Sequence, residues 1–160
     1  MSSRSRIAKD LELFESKRIV IPERMLRIED AAVSEEQVPT GQLLVRYFPE
    51  EDCTDCILKH LSDYSYLFDL SESRGDFYPL IAFSMCQDEI GGFIKSLEKY
   101  GFHFPVWIDE FGAIEALNDI PSDKRFHCFL LNLSNKPIFV GDPMSSNNMM
   151  SLFIKSLDSQ

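Results

Sequence analysis

The sequence predicts an α/β sandwich built on a mixed central sheet, and three observations predict it. Short continuous apolar runs, of the kind buried on both faces of a parallel sheet, recur along the chain. Between them lie segments whose apolar residues repeat at helical spacing. The last two runs flank Ser134-Asn135-Lys136, a hairpin signal that adds antiparallel pairing.

The elements follow in chain order. Residues 1–40 are more polar and read as a lead-in that adds a peripheral strand or hairpin. Within them Arg18-Ile19-Val20-Ile21-Pro22 is a β-like run ended by proline, Met25-Leu26-Arg27-Ile28 is a second, and an acidic stretch runs from Glu29 to Glu36. From Gly41 the pattern is regular, so residues 41–160 form the main domain. Leu43 to Phe48 is a buried strand stopped by Pro49. Ile57, Leu58, Leu61, Tyr64 and Phe68 predict one helix from Thr54 to Phe68, followed by a polar loop from Ser71 to Asp76. Tyr78 to Met85 is a second buried strand. Ile90, Phe93, Ile94, Leu97 and Tyr100 mark a helix, with Gly101 where a C-cap belongs. Phe104 to Ile108 is a short strand closed by Asp109, and Phe111 to Leu117 a short helix. Residues 129–133 and 137–140 form the hairpin, and Met149, Leu152, Phe153 and Leu157 line a final helix. Strands alternating with helices require crossover connections, which place helices on both faces of the sheet.

A chain of 160 residues, 44% hydrophobic with 13 Phe, fits a single domain large enough to bury its own core. The net charge of −10, from 16 Lys+Arg against 26 Asp+Glu, and the lack of any basic cluster argue against nucleic acid and anionic membrane surfaces as partners. No apolar run reaches the ~18 residues of a membrane span. Residues 1–10 have no apolar h-region and form no signal peptide, which taken literally makes the chain cytoplasmic.

The chemistry points to cysteine. Of the four, Cys53 and Cys56 form a CxxC between the first strong strand and its helix. A helix start favours a thiolate, and the spacing puts the two sulfurs within disulfide reach. Cys53 is then the exposed attacking thiol and Cys56 the buried resolving one. The bland alternative is a pair of buried thiols at a strand–helix junction. Glu50, Glu51, Asp52 and Asp55 crowd the pair, disfavouring thiolate and predicting a low-potential, reductant-like couple. Cys86 and Cys128 read as small buried hydrophobes, Cys128 near the mouth of the CxxC. His127 reads as packed or solvated, with proton carrying as its alternative role. A zinc site is poorly supported. One CxxC gives two soft ligands, while Cys86, Cys128, His60 and His127 lie at no metal spacing. No metal or organic cofactor is expected.

The strand, the CxxC, its helix and the terminal strand–hairpin–helix resemble the thioredoxin superfamily over residues 41–158, and within it the redoxin-like, TlpA-type thiol–disulfide oxidoreductases of bacterial envelopes. Phe129-Leu130-Leu131-Asn132 to Val140-Gly141 looks like their closing hairpin. Phe104 to Asp109, Ile120-Pro121-Ser122-Asp123 and Arg18 to Pro22 are similar to uncharacterised thioredoxin-like lipoproteins of Bacteroidetes. The resemblance implies a thioredoxin-like three-layer α/β sandwich with an N-terminal strand extension. It also implies a protein thiol–disulfide oxidoreductase using Cys53 and Cys56, with protein disulfides or thiols as substrates and a protein redox partner. The implied location is the periplasm or outer cell envelope, with the export signal absent from this chain.

Two departures from that family's pattern keep other readings open. The proline that thioredoxins place before the penultimate strand is replaced by Phe126-His127-Cys128, and the aromatic residue before the first cysteine by Asp52. A non-catalytic binding module of the same fold is therefore the first alternative. The second is a thiol peroxidase: peroxiredoxins place a Thr four residues after a Pro and the reactive Cys seven after it. Pro49 has Cys56 at that second position but Cys53 where the Thr belongs.

Overall fold

The computed structural model describes residues 2–52 and 54–160. Its centre is a seven-stranded mixed sheet in the order β2-β1-β5-β4-β3-β6-β7. The strands are β1 (Arg24–Glu29), β2 (Ala32–Gln37), β3 (Leu43–Phe48), β4 (Tyr78–Ser84), β5 (Val106–Asp109), β6 (Cys128–Leu131) and β7 (Pro137–Val140). β3, β4 and β5 are parallel, while β1 and β6 join them antiparallel from either side. The helices are α1 (Ser3–Glu15), α2 (Thr54–Leu58), α3 (Ser65–Arg74), α4 (Ile90–Tyr100), α5 (Ala113–Asn118) and α6 (Asn147–Asp158).

The period-2 alternation of the strands builds two separate cores. Leu44 and Phe48 of β3, Ile81 and Phe83 of β4, Val106 and Ile108 of β5, and Cys128 and Leu130 of β6 face one side. There they meet Leu58, Leu67, Phe93, Leu97, Phe153 and Leu157 from α2, α3, α4 and α6. Val45, Tyr47, Leu80, Ala82, Trp107 and Phe129 face the other, under Phe14 of α1 and Ile114 of α5. The two parallel crossovers step across the sheet in one direction, so a constant hand puts their helices on the same face.

Several expected elements differ. The predicted helix 54–68 is broken. α2 stops at Leu58, a 3₁₀ turn takes Leu61–Tyr64, and α3 then continues through the expected polar loop to Arg74, where left-handed Gly75 caps it. Both helix types return a residue to the same face every three to four positions, so the apolar spacing cannot reveal the break. α1 was not foreseen. Ser2 caps it by accepting from the Ser5 N–H, and Phe14 is its buried residue, edge-on to Phe126 and Phe129 at 5.5 and 5.2 Å. Arg18–Pro22 is no strand. The Val20 N–H and C=O both bond the buried Asn118 side chain, at 2.7 and 2.8 Å, and the Ile19 N–H bonds the Asn135 carbonyl, so no ladder partner is needed. The acidic stretch forms β2 instead, paired with β1 across a turn at Asp30 and Ala31.

Candidate active site

The C-terminal ends of β3, β4 and β5 share one edge of the sheet, and the turn before β6 reaches the same edge because β6 runs antiparallel to β3. Among the described residues, Cys56, Cys86 and Cys128 sit on, or next to, these strand ends. Cys53, expected to be the attacking thiol, lies outside the described residues.

Cys56 is exposed on α2, not the buried thiol expected. The cause is local: Leu58 is the α2 residue turned into the core, and a position two residues earlier lies about 200° around the helix from it. At five residues, α2 also contributes less macrodipole than the long helix foreseen.

Cys86 is likewise exposed rather than buried. Met85 takes the buried position after β4, which turns Cys86 outward, where its thiol donates to the Glu50 carboxylate at 3.5 Å. That bond, first, and the carboxylate charges of Glu50, Glu89 and Asp88 push the Cys86 thiol up. Among the described residues, Glu50, Cys86 and Glu89 bring possible metal-ligand atoms within 4.8 Å of one another, all three exposed. Cys56, His60, His127 and Cys128 are not in that group.

Cys128 is buried as expected, opposite Arg46 in the β3–β6 ladder. Burial pushes its thiol far up, so it stays protonated and unreactive. Arg46 itself went unforeseen. Its guanidinium lies 4.1 Å over the Phe48 ring, and Nε donates to the Tyr64 hydroxyl at 3.1 Å. Tyr64 in turn donates to Asp142, and Arg46 Nη1 reaches the Tyr47 and His127 carbonyls at 3.2 and 3.4 Å. Burial raises the Tyr64 hydroxyl well above its ordinary value, which keeps it a donor. The network ties β3 and the 3₁₀ turn to Asp142, just beyond β7. A charged residue inside the apolar run Leu43–Phe48 was the available signal, because a buried cation needs a partner.

His127 is only 4% exposed. Its ring packs against Tyr47, with centroids 4.6 Å apart and planes tilted 37°. Nε2 lies 3.2 Å from the Pro121 carbonyl. A carbonyl only accepts, so Nε2 carries the hydrogen and Nδ1 is a bare lone pair. Nδ1 and the Tyr47 hydroxyl are buried without a hydrogen-bond partner among the described residues. Burial, first, holds His127 below the usual imidazole value. One residue before the CxxC, Asp52 lies 3.8 Å from Lys124, at the start of the 3₁₀ turn that leads to His127.

Phe111, 89% exposed, stands on the same edge just beyond β5. The buried Asp109 carboxylate accepts the Ala113 and Ile114 N–H groups, both at 2.9 Å, and so fixes the start of α5 beside it.

No protein-family model matches the sequence, and no match is found among curated proteins. Solved structures do match its shape. A candidate thiol:disulfide interchange protein DsbE from Chlorobium tepidum aligns with a TM-score of 0.56 at 11% identity, covering 88% of this chain and 98% of that one. A candidate electron transfer protein from Aquifex aeolicus aligns at 0.58 and 13% identity, covering 89% and 96%. Peroxiredoxin Q from Xanthomonas campestris aligns at 0.53 and 13% identity, covering 90% and 99%. The chain has the thioredoxin-like fold, with a mixed seven-stranded sheet and helices packed on both of its faces.

Proposed function

We propose that the protein is a thiol–disulfide oxidoreductase that reduces protein disulfides through Cys53 and Cys56. The observation that carries the reading is the exposed Cys56 on α2, at the C-terminal edge of β3, within a thioredoxin-like fold. In this reading the Cys53 thiolate attacks one sulfur of a substrate disulfide, and the other sulfur leaves with the electron pair and takes a proton. Cys56 then loses its proton and attacks Cys53, closing the intramolecular disulfide and releasing the second substrate thiol. Two electrons pass to the substrate, and a second protein dithiol restores the pair. The carboxylates of Glu50, Glu51, Asp52 and Asp55 support a reductant-like potential by opposing the thiolate. The bacterial cell envelope is the location that the family resemblance favours.

Mass-spectrometric thiol mapping across glutathione redox buffers tests this. A reversible Cys53–Cys56 disulfide with a potential near that of thioredoxin, about −270 mV, is expected. Cysteines that never pair would leave a non-catalytic binding module of the same fold.

The exposure of Cys56 favours a second reading, in which Cys56, seven residues after Pro49, attacks a peroxide directly. Its thiolate would break the O–O bond and become a sulfenic acid. Hydrogen peroxide consumption that is lost in Cys56→Ser and kept in Cys53→Ser selects this chemistry over the first.

A further inference from the structure

Phe111 takes no part in the exchange chemistry above, yet a tightly bonded loop holds it out to solvent. The Asp109 carboxylate accepts the Ala113 and Ile114 N–H groups, and the Gly112 N–H donates to the Asp109 carbonyl at 3.3 Å. Gly112 is left-handed at φ 60°, and a Cβ there would sit 3.8 Å from Ser84 Oγ, so the loop lies against the end of β4. The chain runs on from Ser84 through Met85 to Cys86, whose thiol reaches Glu50 beyond β3. Phe111, Cys86 and Glu50 therefore stand along one edge, following the sheet order β5-β4-β3.

The segments that leave these three strands share one sign of charge. Glu50, Glu51 and Asp55 follow β3, Asp88 and Glu89 follow β4, and Glu110 follows β5, while residues 49–56, 85–90 and 110–113 contain no Lys or Arg. All of these carboxylates except Glu110 are exposed. Among the described residues none of them forms an ion pair. Asp52 differs, because Lys124 approaches it at 3.8 Å, and Lys59 and His60 come only after α2 has ended at Leu58. An aromatic ring on a fixed loop loses little freedom when it is covered, which suits it to be an anchor. Carboxylates beside it select by charge what covers it. A second copy of this chain, at net charge −10, brings the wrong sign.

We propose that Phe111 and these carboxylates form a docking edge for an extended, lysine- or arginine-rich segment of a partner protein that lays an apolar side chain on the Phe111 ring. The apolar contact supplies the anchor, and the carboxylates supply the choice of partner. The inference rests on the proposed function only in taking that segment as the flank of the disulfide to be reduced.

The test is fluorescence anisotropy with labelled, cysteine-free peptides of equal length, built from lysine and leucine, lysine and serine, or glutamate and leucine. The lysine–leucine peptide should bind saturably and lose about tenfold in affinity between 20 and 200 mM salt. Serine in place of leucine should weaken binding about threefold or more, and the glutamate peptide should not bind. Phe111→Ser should cost the lysine–leucine peptide about the same factor. Leu133→Ser, at an exposed side chain on the opposite edge of the sheet, should leave its affinity unchanged. The double variant Glu89→Gln, Glu110→Gln should flatten the salt dependence. Absence of saturable binding overturns the proposal, as does binding that Phe111→Ser leaves intact or that Leu133→Ser weakens equally. A dimer in sedimentation that Phe111→Ser dissociates would also overturn it, by giving the edge to a second copy. Because the peptides carry no sulfur, their binding is independent of the thiols. Cysteines that never pair in glutathione buffers would defeat the oxidoreductase reading and leave the docking edge standing.

Discussion

Arg46 shows how one side chain can be out of place by pattern and in place by chemistry. It interrupts an apolar strand, yet its guanidinium is held by Tyr64, two carbonyls and the Phe48 ring, with Asp142 at 3.9 Å. Arg46→Met should cost about 2–3 kcal/mol in urea denaturation, since it leaves the Tyr64–Asp142 pair without its cation. A loss below 0.5 kcal/mol would show the network to be decorative. His127 gives a pH signature of its own. Its folded-state value lies below the unfolded one, so the unfolded chain binds more protons as pH falls through about 6.5. Stability should therefore be full above that value and decline on acidification toward the lower, folded value. Denaturation midpoints at pH 7.5 and 5.5 would check this, and His127→Gln should flatten the difference. Asp76 and Asp123, held low chiefly by their hydrogen bonds to Arg74 and Arg125, lose their contributions only in the carboxylate range, in a separate window.

Among the elements, the β1–β2 hairpin turns on Asp30 and Ala31, whose φ values of 50° and 67° are both left-handed. Such a pair suits the tight turn that matches strand twist, but alanine pays a steric cost there that glycine does not. Ala31→Gly should stabilise the protein by roughly 0.5–1 kcal/mol, visible as a rise in Tm. α1 depends on Phe14, and Phe14→Ala should cost about 3 kcal/mol or more by opening a cavity between Phe126 and Phe129. Limited proteolysis should then cut the chain before residue 20 first. These elements also show what the sequence carries. Ile7, Leu11 and Phe14 recur at helical spacing behind a serine cap, so α1 was legible but masked by its polar composition. Arg18–Pro22 has strand chemistry, and only the distant Asn118 determines that its backbone bonds go elsewhere.

At the scale of the molecule, the alternation of apolar runs and helical segments was enough to read the mixed sheet and the closing hairpin. Exposure at the site was not readable. Whether Cys56 and Cys86 face solvent depends on which neighbour, Leu58 or Met85, takes the core position, and periodicity over so few residues does not decide it. The net charge of −10 has a kinetic consequence for the proposed activity. A disulfide peptide rich in lysine should be reduced several-fold faster at 20 mM than at 200 mM salt, by electrostatic steering toward the carboxylates around the CxxC. An acidic peptide of the same length should show the opposite trend.

The ends of the sheet carry a last consequence. β2, exposed along its whole length, has glutamates at 35 and 36, and β7 is a four-residue strand that begins with Pro137. Proline offers no N–H to a newcomer, and a strand laid against β2 must approach carboxylates. Both borders are poor templates for another chain, so the molecule can hold a seven-stranded sheet at high concentration without seeding its own aggregation.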